Sequence, residues 1–182
     1  MEGTRNAIIQ AFRQQLEEKP VSKITVKDIV GCCNINRNTF YYHFQDIPSL
    51  IEEMMMEEAE QLIRNHFTPG NPIECLLPLV QYGLRHKNAV LHVYRYVSKD
   101  VFLQYVNRIV FHAVQDYFSN IATSMRDVSD KVLADLTEFY KCALVGLLLD
   151  WLDGGMKEDM LALTQRLCAL LHGSGRTALT RG

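Results

Sequence analysis

Residues 25–44 read TVKDIVGCCNINRNTFYYHF, and the fold follows from how that stretch punctuates itself. Thr25 is a strong helix N-cap, and Asp28, three residues on, stands where a capping carboxylate meets the positive end of a helix. Val26, Ile29, Val30 and Cys33 recur at i, i+3, i+4 and i+7, so one stripe faces a core while Lys27 and Asp28 look outward. Asn34 tolerates the left-handed conformation that ends helices, and Asn36 is a second N-cap. Ile35 between them is expected as a buried plug. A second short helix then runs from Arg37 to His43, and two short helices across a tight polar turn predict a helix-turn-helix.

The second helix carries the chemistry. Arg37, Asn38 and Thr39 fill its first turn, and such side chains hydrogen-bond to base edges in a major groove. Phe40 is expected in the core. Tyr41, Tyr42 and His43 follow in a row, and a helix of this length cannot bury all three, which leaves hydroxyl and imidazole groups for phosphate oxygens.

Thr25 to Leu50 resembles the N-terminal domain of the TetR family of transcriptional regulators, whose signature of threonine, aromatic, tyrosine, aromatic, histidine, phenylalanine stands here as Thr39-Phe40-Tyr41-Tyr42-His43-Phe44. The likeness extends back over Thr4–Glu18 and forward to about His66. It implies that the helix Arg37–His43 enters the major groove of double-stranded DNA. Base contacts then come from Arg37, Asn38 and Tyr41, and phosphate contacts from Thr39, Tyr42 and His43. Lys27 falls at a groove edge, and Thr25, at the start of its helix, completes the candidate set. The chain departs from the family pattern at Asn34, where glycine is common, and at Gln45 and Ile47, where lysine is frequent. Each lost cation removes about one unit of the salt slope of binding, so the sequence-independent part of the affinity is expected to be small.

Bulk properties agree with a globular regulator. The chain has 182 residues, 48% of them hydrophobic, enough for a core of one or two small domains. Net charge is −2, but residues 1–45 hold six Lys/Arg against four Asp/Glu, a net of +2, leaving −4 on the remaining 137. The basic excess lies with the motif. Cys32, Cys33, Cys75, Cys142 and Cys168 lack metal-ligand spacing and are expected as free thiols of a reducing compartment. The adjacent pair Cys32-Cys33 raises oxidant sensing as a question, but a thiol pKa is not readable from sequence. No signal peptide and no membrane-length apolar run is present, so a cytoplasmic protein is expected.

A first helix from Thr4 carries Ala7, Ile8, Ala11, Phe12 and Leu16 on one stripe and ends at Lys19-Pro20, with Val21–Ile24 as a plugging linker. Asp46 caps a helix from Ile47 to Asn65 whose apolar side holds Leu50, Ile51, Met54, Met55, Ala59, Leu62 and Ile63. Glu52, Glu53, Glu57, Glu58 and Glu60 read as its solvated face, and Met54–Met56 as a soft contact surface. Thr68-Pro69-Gly70-Asn71-Pro72 is the clearest boundary. Helices are then expected over Ile73–Arg85, Ala89–Tyr96, Val101–Met125, Asp130–Leu152 and Glu158–Leu171. The fold class is all-α: a three-helix DNA-binding domain over 1–46, a connecting helix over 47–66, a helical regulatory and dimerisation domain over 67–173, and a frayed tail over 174–182.

The last two long helices are apolar almost all round, which requires cover on two sides. Leu144, Leu147, Leu148 and Trp151 on the first, with Leu163, Leu167 and Leu170 on the second, are the expected homodimer interface, an isologous arrangement that the resemblance also implies. Between boundary and dimer helices, Tyr82, His86, Tyr94, Phe102, Tyr105 and Phe111 are the candidate lining of a pocket for a small-molecule effector, whose identity the sequence withholds. His86 and His92 lack dependable metal spacing, so no metal is expected. Neither a nucleophile–base arrangement nor a phosphate loop stands out, so no enzyme and no cofactor are expected. The expected function is a ligand-responsive repressor binding a palindromic operator. Its competitor is a TetR-like adaptor docking on a protein partner, favoured by Ile47 and by the acidic helix behind the motif.

Overall fold

In the computed structural model, which describes residues 2–64, 70–123 and 128–171, the caps at Thr25 and Asn36 set the layout of the N-terminal half. Among the described residues the secondary structure is helical throughout. Helix α1 spans Glu2–Glu18, and a 3-10 turn over Val21–Lys23 leads to α2 (Val26–Cys33). Thr25 and Asp28 form the reciprocal capping box. Asn34 ends α2 in the left-handed region at φ 53, which lets the Ile35 N–H reach the Val30 carbonyl at 3.1 Å. Asn36 then caps α3 (Arg37–His43) by accepting from the Thr39 N–H at 2.9 Å. Asp46 accepts from the Ser49 N–H at 2.8 Å and so opens α4 (Ile47–Arg64).

The remaining helices are α5 (Leu77–Arg85), α6 (Lys87–Tyr96), α7 (Lys99–Ala122), α8 (Asp130–Asp153) and α9 (Met160–Leu170). Where the sequence predicts one helix over Ile73–Arg85, a 3-10 turn over Pro72–Leu76 comes first and α5 starts at Leu77. Pro78 explains the break: it has no N–H for the Glu74 carbonyl, so it fits only the first turn of a new helix. Asn65, Thr68, Pro69, Met125 and the tail over 174–182 lie outside the described residues.

The chain falls into two compact units, and not in sequence order. The first holds Met1–Glu58 with Arg85–Phe102, the second Ala59–Leu84 with Leu103–Gly182. A linear division at residues 46 and 67 therefore misplaces α6. In the first unit Ile8, Ile9, Phe12 and Leu16 of α1 meet Ile29, Val30, Phe40, Phe44, Leu50 and Ile51, and Ala89 and Val93 of α6 join the same core. Polar contacts add to this packing. Asn88 donates to the Glu17 carbonyl at 3.1 Å and the His92 ring lies 2.7 Å from the Leu16 carbonyl, so α6 serves the last carbonyls of α1, which have no partner within their own helix.

The first unit also corrects the reading of the α4 glutamates. Glu53 and Glu57 pair with Arg5, and Glu58 with Arg13, so three of the five expected on a solvated face instead clamp α4 to α1. In the second unit Phe118 packs on Tyr140 at 5.5 Å between ring centroids, and the buried Asn71 donates towards the Cys168 and Leu171 carbonyls. Trp151 of α8 sits against Gly83 of α5 so closely that a Cβ there would lie 3.1 Å from the ring.

Candidate nucleic-acid interface

The presented face of α3 is made by what its other face must bury. Phe40 is fully buried and Phe44 nearly so, with ring centroids 5.8 Å apart, which fixes the rotation of the helix about its axis. The opposite side then has to face out. Arg37 and Asn38 are exposed, and Tyr41 and Tyr42 are 56% and 71% exposed, values high enough to bring both side chains to the surface. Thr39 and His43 are half-buried, and the His43 ring stacks edge-on with Tyr42 at 5.1 Å. The structure thus gathers Arg37, Asn38, Tyr41 and Tyr42 on one accessible surface, flanked by Thr39 and His43.

The two threonines have local tasks. The Thr25 hydroxyl donates to Asp28 Oδ2 at 2.8 Å while accepting from the Asp28 N–H, and the Thr39 hydroxyl donates to Asn36 Oδ1 at 3.1 Å. Their first contribution is to place the two helix starts. Asp28 is held ionised, its carboxyl pushed below its usual range by the Thr25 hydroxyl, then the Thr25 N–H, then Lys19. Lys19 lies 3.3 Å from that carboxylate and offsets its charge. Lys27 is exposed on α2, as is Lys23 in the turn before it. Sequence reasoning left Lys23 out of the candidate set; its place two residues before the Thr25 cap is the signal that would have included it.

The other candidate residues are more dispersed. Tyr94 and Phe102, both buried, stack edge-on at 4.9 Å in the first unit, and His86 there lies 3.2 Å from Glu17. Tyr82, Tyr105 and Phe111 belong to the second unit and are half-buried. Among the described residues no group of three or more His, Cys, Asp or Glu side chains could hold a metal, and no helix is long and apolar enough to cross a membrane.

Of the residues expected between subunits, Leu144, Leu148 and Trp151 are buried by their own unit, and the Trp151 indole N–H donates to the Glu158 carbonyl at 3.0 Å. They are core residues and offer no surface to a partner. Leu147, Leu163 and Leu167 are half-buried and Leu170 is 79% exposed. Phe139, 64% exposed, shares the outer face of α8 with Ala143, Gly146 and Leu147 and was missed. Counting back from Leu147 by two turns finds it.

Residues 8–54 match the family model of bacterial regulatory proteins of the tetR family, and residues 70–173 match that of a transcriptional regulator C-terminal region of TetR type. The chain is 31% identical over 88 residues to the probable acrEF/envCD operon repressor of Escherichia coli K12, covering 46% of this chain and 40% of that protein. It is 26% identical over 156 residues to the uncharacterized HTH-type transcriptional regulator YxbF of Bacillus subtilis, covering 84% of this chain and 40% of that one. The chain thus spans 40% of the length of these relatives. Among solved structures, the dihydroxyacetone kinase operon activator DhaS shares the fold at a TM-score of 0.74, with 19% identity and coverage of 96% and 97% of the two chains.

Proposed function

Since the chain belongs to the TetR family of transcriptional regulators, we propose that it binds a palindromic operator as a homodimer through α3 and represses transcription until a small-molecule effector binds. The observation that carries this reading is the accessible set Arg37, Asn38, Tyr41 and Tyr42 on a helix whose rotation is fixed by buried Phe40. Arg37 and Asn38 have the donors and acceptors for base edges, with Tyr41 beside them. Tyr42, His43, Thr39, Thr25, Lys27 and Lys23 surround them as phosphate partners.

Two copies of α3 related by a twofold axis read one palindrome when they lie about 34–36 Å apart, or a multiple of that. The face that brings two chains together is proposed as Phe139, Ala143, Gly146 and Leu147 of α8 with Leu163, Leu167 and Leu170 of α9. Exposed apolar side chains at helical spacing on a regulator call for cover. For the effector, Tyr82, Tyr105 and Phe111 of the second unit are the candidates, because they are half-buried where Tyr94 and Phe102 are buried against each other. Effector control then needs only that the ligand favour one of two states of the dimer.

The adaptor reading loses its two supports. Ile47 packs against the core of the first unit, and three glutamates of α4 are engaged by Arg5 and Arg13. The deciding experiment is selection of duplex DNA from a random pool, followed by titration with salt. The wild-type chain should enrich a palindrome and show a steep salt slope, while Arg37→Ala with Tyr42→Phe should abolish enrichment at unchanged helical content and dimer mass. Equal binding of all sequences by the wild type would remove the operator from the proposal.

A further inference from the structure

Four polar side chains stand at the start of α3, and two of them are committed to each other. Asn36 Oδ1 accepts from the Thr39 N–H at 2.9 Å and from the Thr39 hydroxyl at 3.1 Å. Arg37 and Asn38 are exposed and, among the described residues, make no hydrogen bond or ion pair. They alone of the four keep every donor and acceptor for a partner outside the chain.

Their directions follow from Phe40. Successive residues of an α-helix turn by about 100°, so with Phe40 in the core Asn38 lies about 160° round from it, nearly opposite. Arg37 lies about 60° round, on the flank it shares with Tyr41 one turn further along. Thr39 and His43 take the other flank, and both are half-buried. Successive Cα atoms are about 3.8 Å apart, close to the step of about 3.4 Å between stacked base pairs. Two diverging side chains from adjacent residues therefore reach adjacent base pairs.

What each side chain can hold is set by its atoms. A guanidinium has donors only, and guanine is the one base whose major-groove edge carries two acceptors, O6 and N7. A carboxamide has donors and an acceptor, which match the N7 acceptor and the N6 donor of adenine. We infer that Arg37 specifies a guanine and Asn38 an adenine on neighbouring base pairs of each half-site, and that these two side chains set the sequence preference of the chain. Thr39 and His43 add affinity without choosing a base. The inference rests on the operator reading and deepens it, from a palindrome of unstated sequence to one with a G·C pair beside an A·T pair.

The test is selection from a random duplex pool by the full chain, followed by titration of the enriched palindrome. The wild type should enrich adjacent guanine and adenine in both half-sites. Arg37→Ala should lose the preference for guanine alone and Asn38→Ala that for adenine alone, each binding the enriched site about 5- to 150-fold more weakly. 7-Deazaguanine at the guanine position removes one acceptor, so it should weaken the wild type and leave Arg37→Ala unaffected; 7-deazaadenine should do the same for Asn38→Ala. Lys27→Ala is the control, expected to weaken every sequence alike and to lower the salt slope by about one. A wild-type palindrome without adjacent guanine and adenine overturns this inference and leaves the operator standing. A uniform loss of affinity in either alanine variant, with the base preference kept, reassigns that side chain to phosphate and overturns it too. A wild type that enriches nothing removes the operator itself and the base assignments with it.

Discussion

The α2–α3 pair and the α8–α9 pair pose the same problem to the chain, which is to decide what each helix hides, and they solve it over different distances. In α3, seven residues suffice. Asn36 fixes the start, Phe40 goes in, and Tyr41 and Tyr42 go out, each decision resting on a neighbour within four positions. In α8, 24 residues long, nearly every position from Ala143 to Leu149 is apolar, so no local rule chooses between the two broad faces. Gly83 on α5 helps choose: by carrying no Cβ it admits Trp151, and Leu144 and Leu148 are buried on the same side of the helix. A residue's task is readable from its own surroundings in sequence only when those surroundings determine it.

The comparison is sharpened most by substituting the residues that decide each face. Phe40→Ala should destabilise the protein by about 3–5 kcal/mol, the cost of emptying a filled aromatic site, whereas Tyr42→Ala, two positions on, should stay within about 0.5 kcal/mol. Urea melts followed by circular dichroism separate the two; a comparable loss at Tyr42 would mean that the phenol is not at the surface. In α8 the matching contrast is Leu144→Ala, expected to cost about 2–5 kcal/mol, against Phe139→Asp, expected to leave the subunit folded. Phe139→Asp should instead raise the dimer dissociation constant about tenfold or more, since an exposed aromatic in a contact patch is a typical anchor. Sedimentation equilibrium reads that directly, and a dimer indifferent to the charge would move the interface elsewhere. Smaller again is Asn36→Ala, which removes the α3 cap for about 1 kcal/mol and should weaken operator binding by loosening the first turn that carries Arg37 and Asn38. Unchanged stability would show that the Thr39 N–H finds another acceptor.

These contrasts also mark where sequence runs out. The caps at Thr25, Asn34 and Asn36, the buried Phe40 and the exposed tyrosines are all legible, because i to i+3 and i+4 relations generate them. The fate of Glu53, Glu57 and Glu58 is not, because Arg5 and Arg13 lie some 45 to 52 positions away in the chain. Nor is the membership of α6, which joins the first unit by serving the end of α1 through Asn88 and His92. The grouping of the candidate pocket residues is hidden for the same reason: spacing places aromatics on helices but does not say which helices they share, and Tyr94 and Phe102 are a buried pair in the first unit.

The smallest expected effect concerns the cap that opens α2. The Asp28 carboxyl has its pKa held below the usual value near 4 by the Thr25 hydroxyl and N–H, and further by Lys19. A folded-state pKa below the unfolded one means that the contribution is complete above the unfolded value and fades as pH falls through the folded one. Stability should therefore show an acid limb beginning near pH 4 to which Asp28 contributes, and Asp28→Asn should flatten that limb. The carboxylate is at the surface and screened by solvent, so the change in slope is small and is best read as a difference between paired melts from pH 5 to pH 2.5. Above pH 5 the same substitution removes the negative charge nearest the start of α2 while leaving Lys19 unpaired beside Lys23 and Lys27. DNA affinity should then rise slightly as α2 loses stability, opposite signs from one side chain. A fall in both would show that the orientation of the α2 start, and not its charge, governs contact with phosphate.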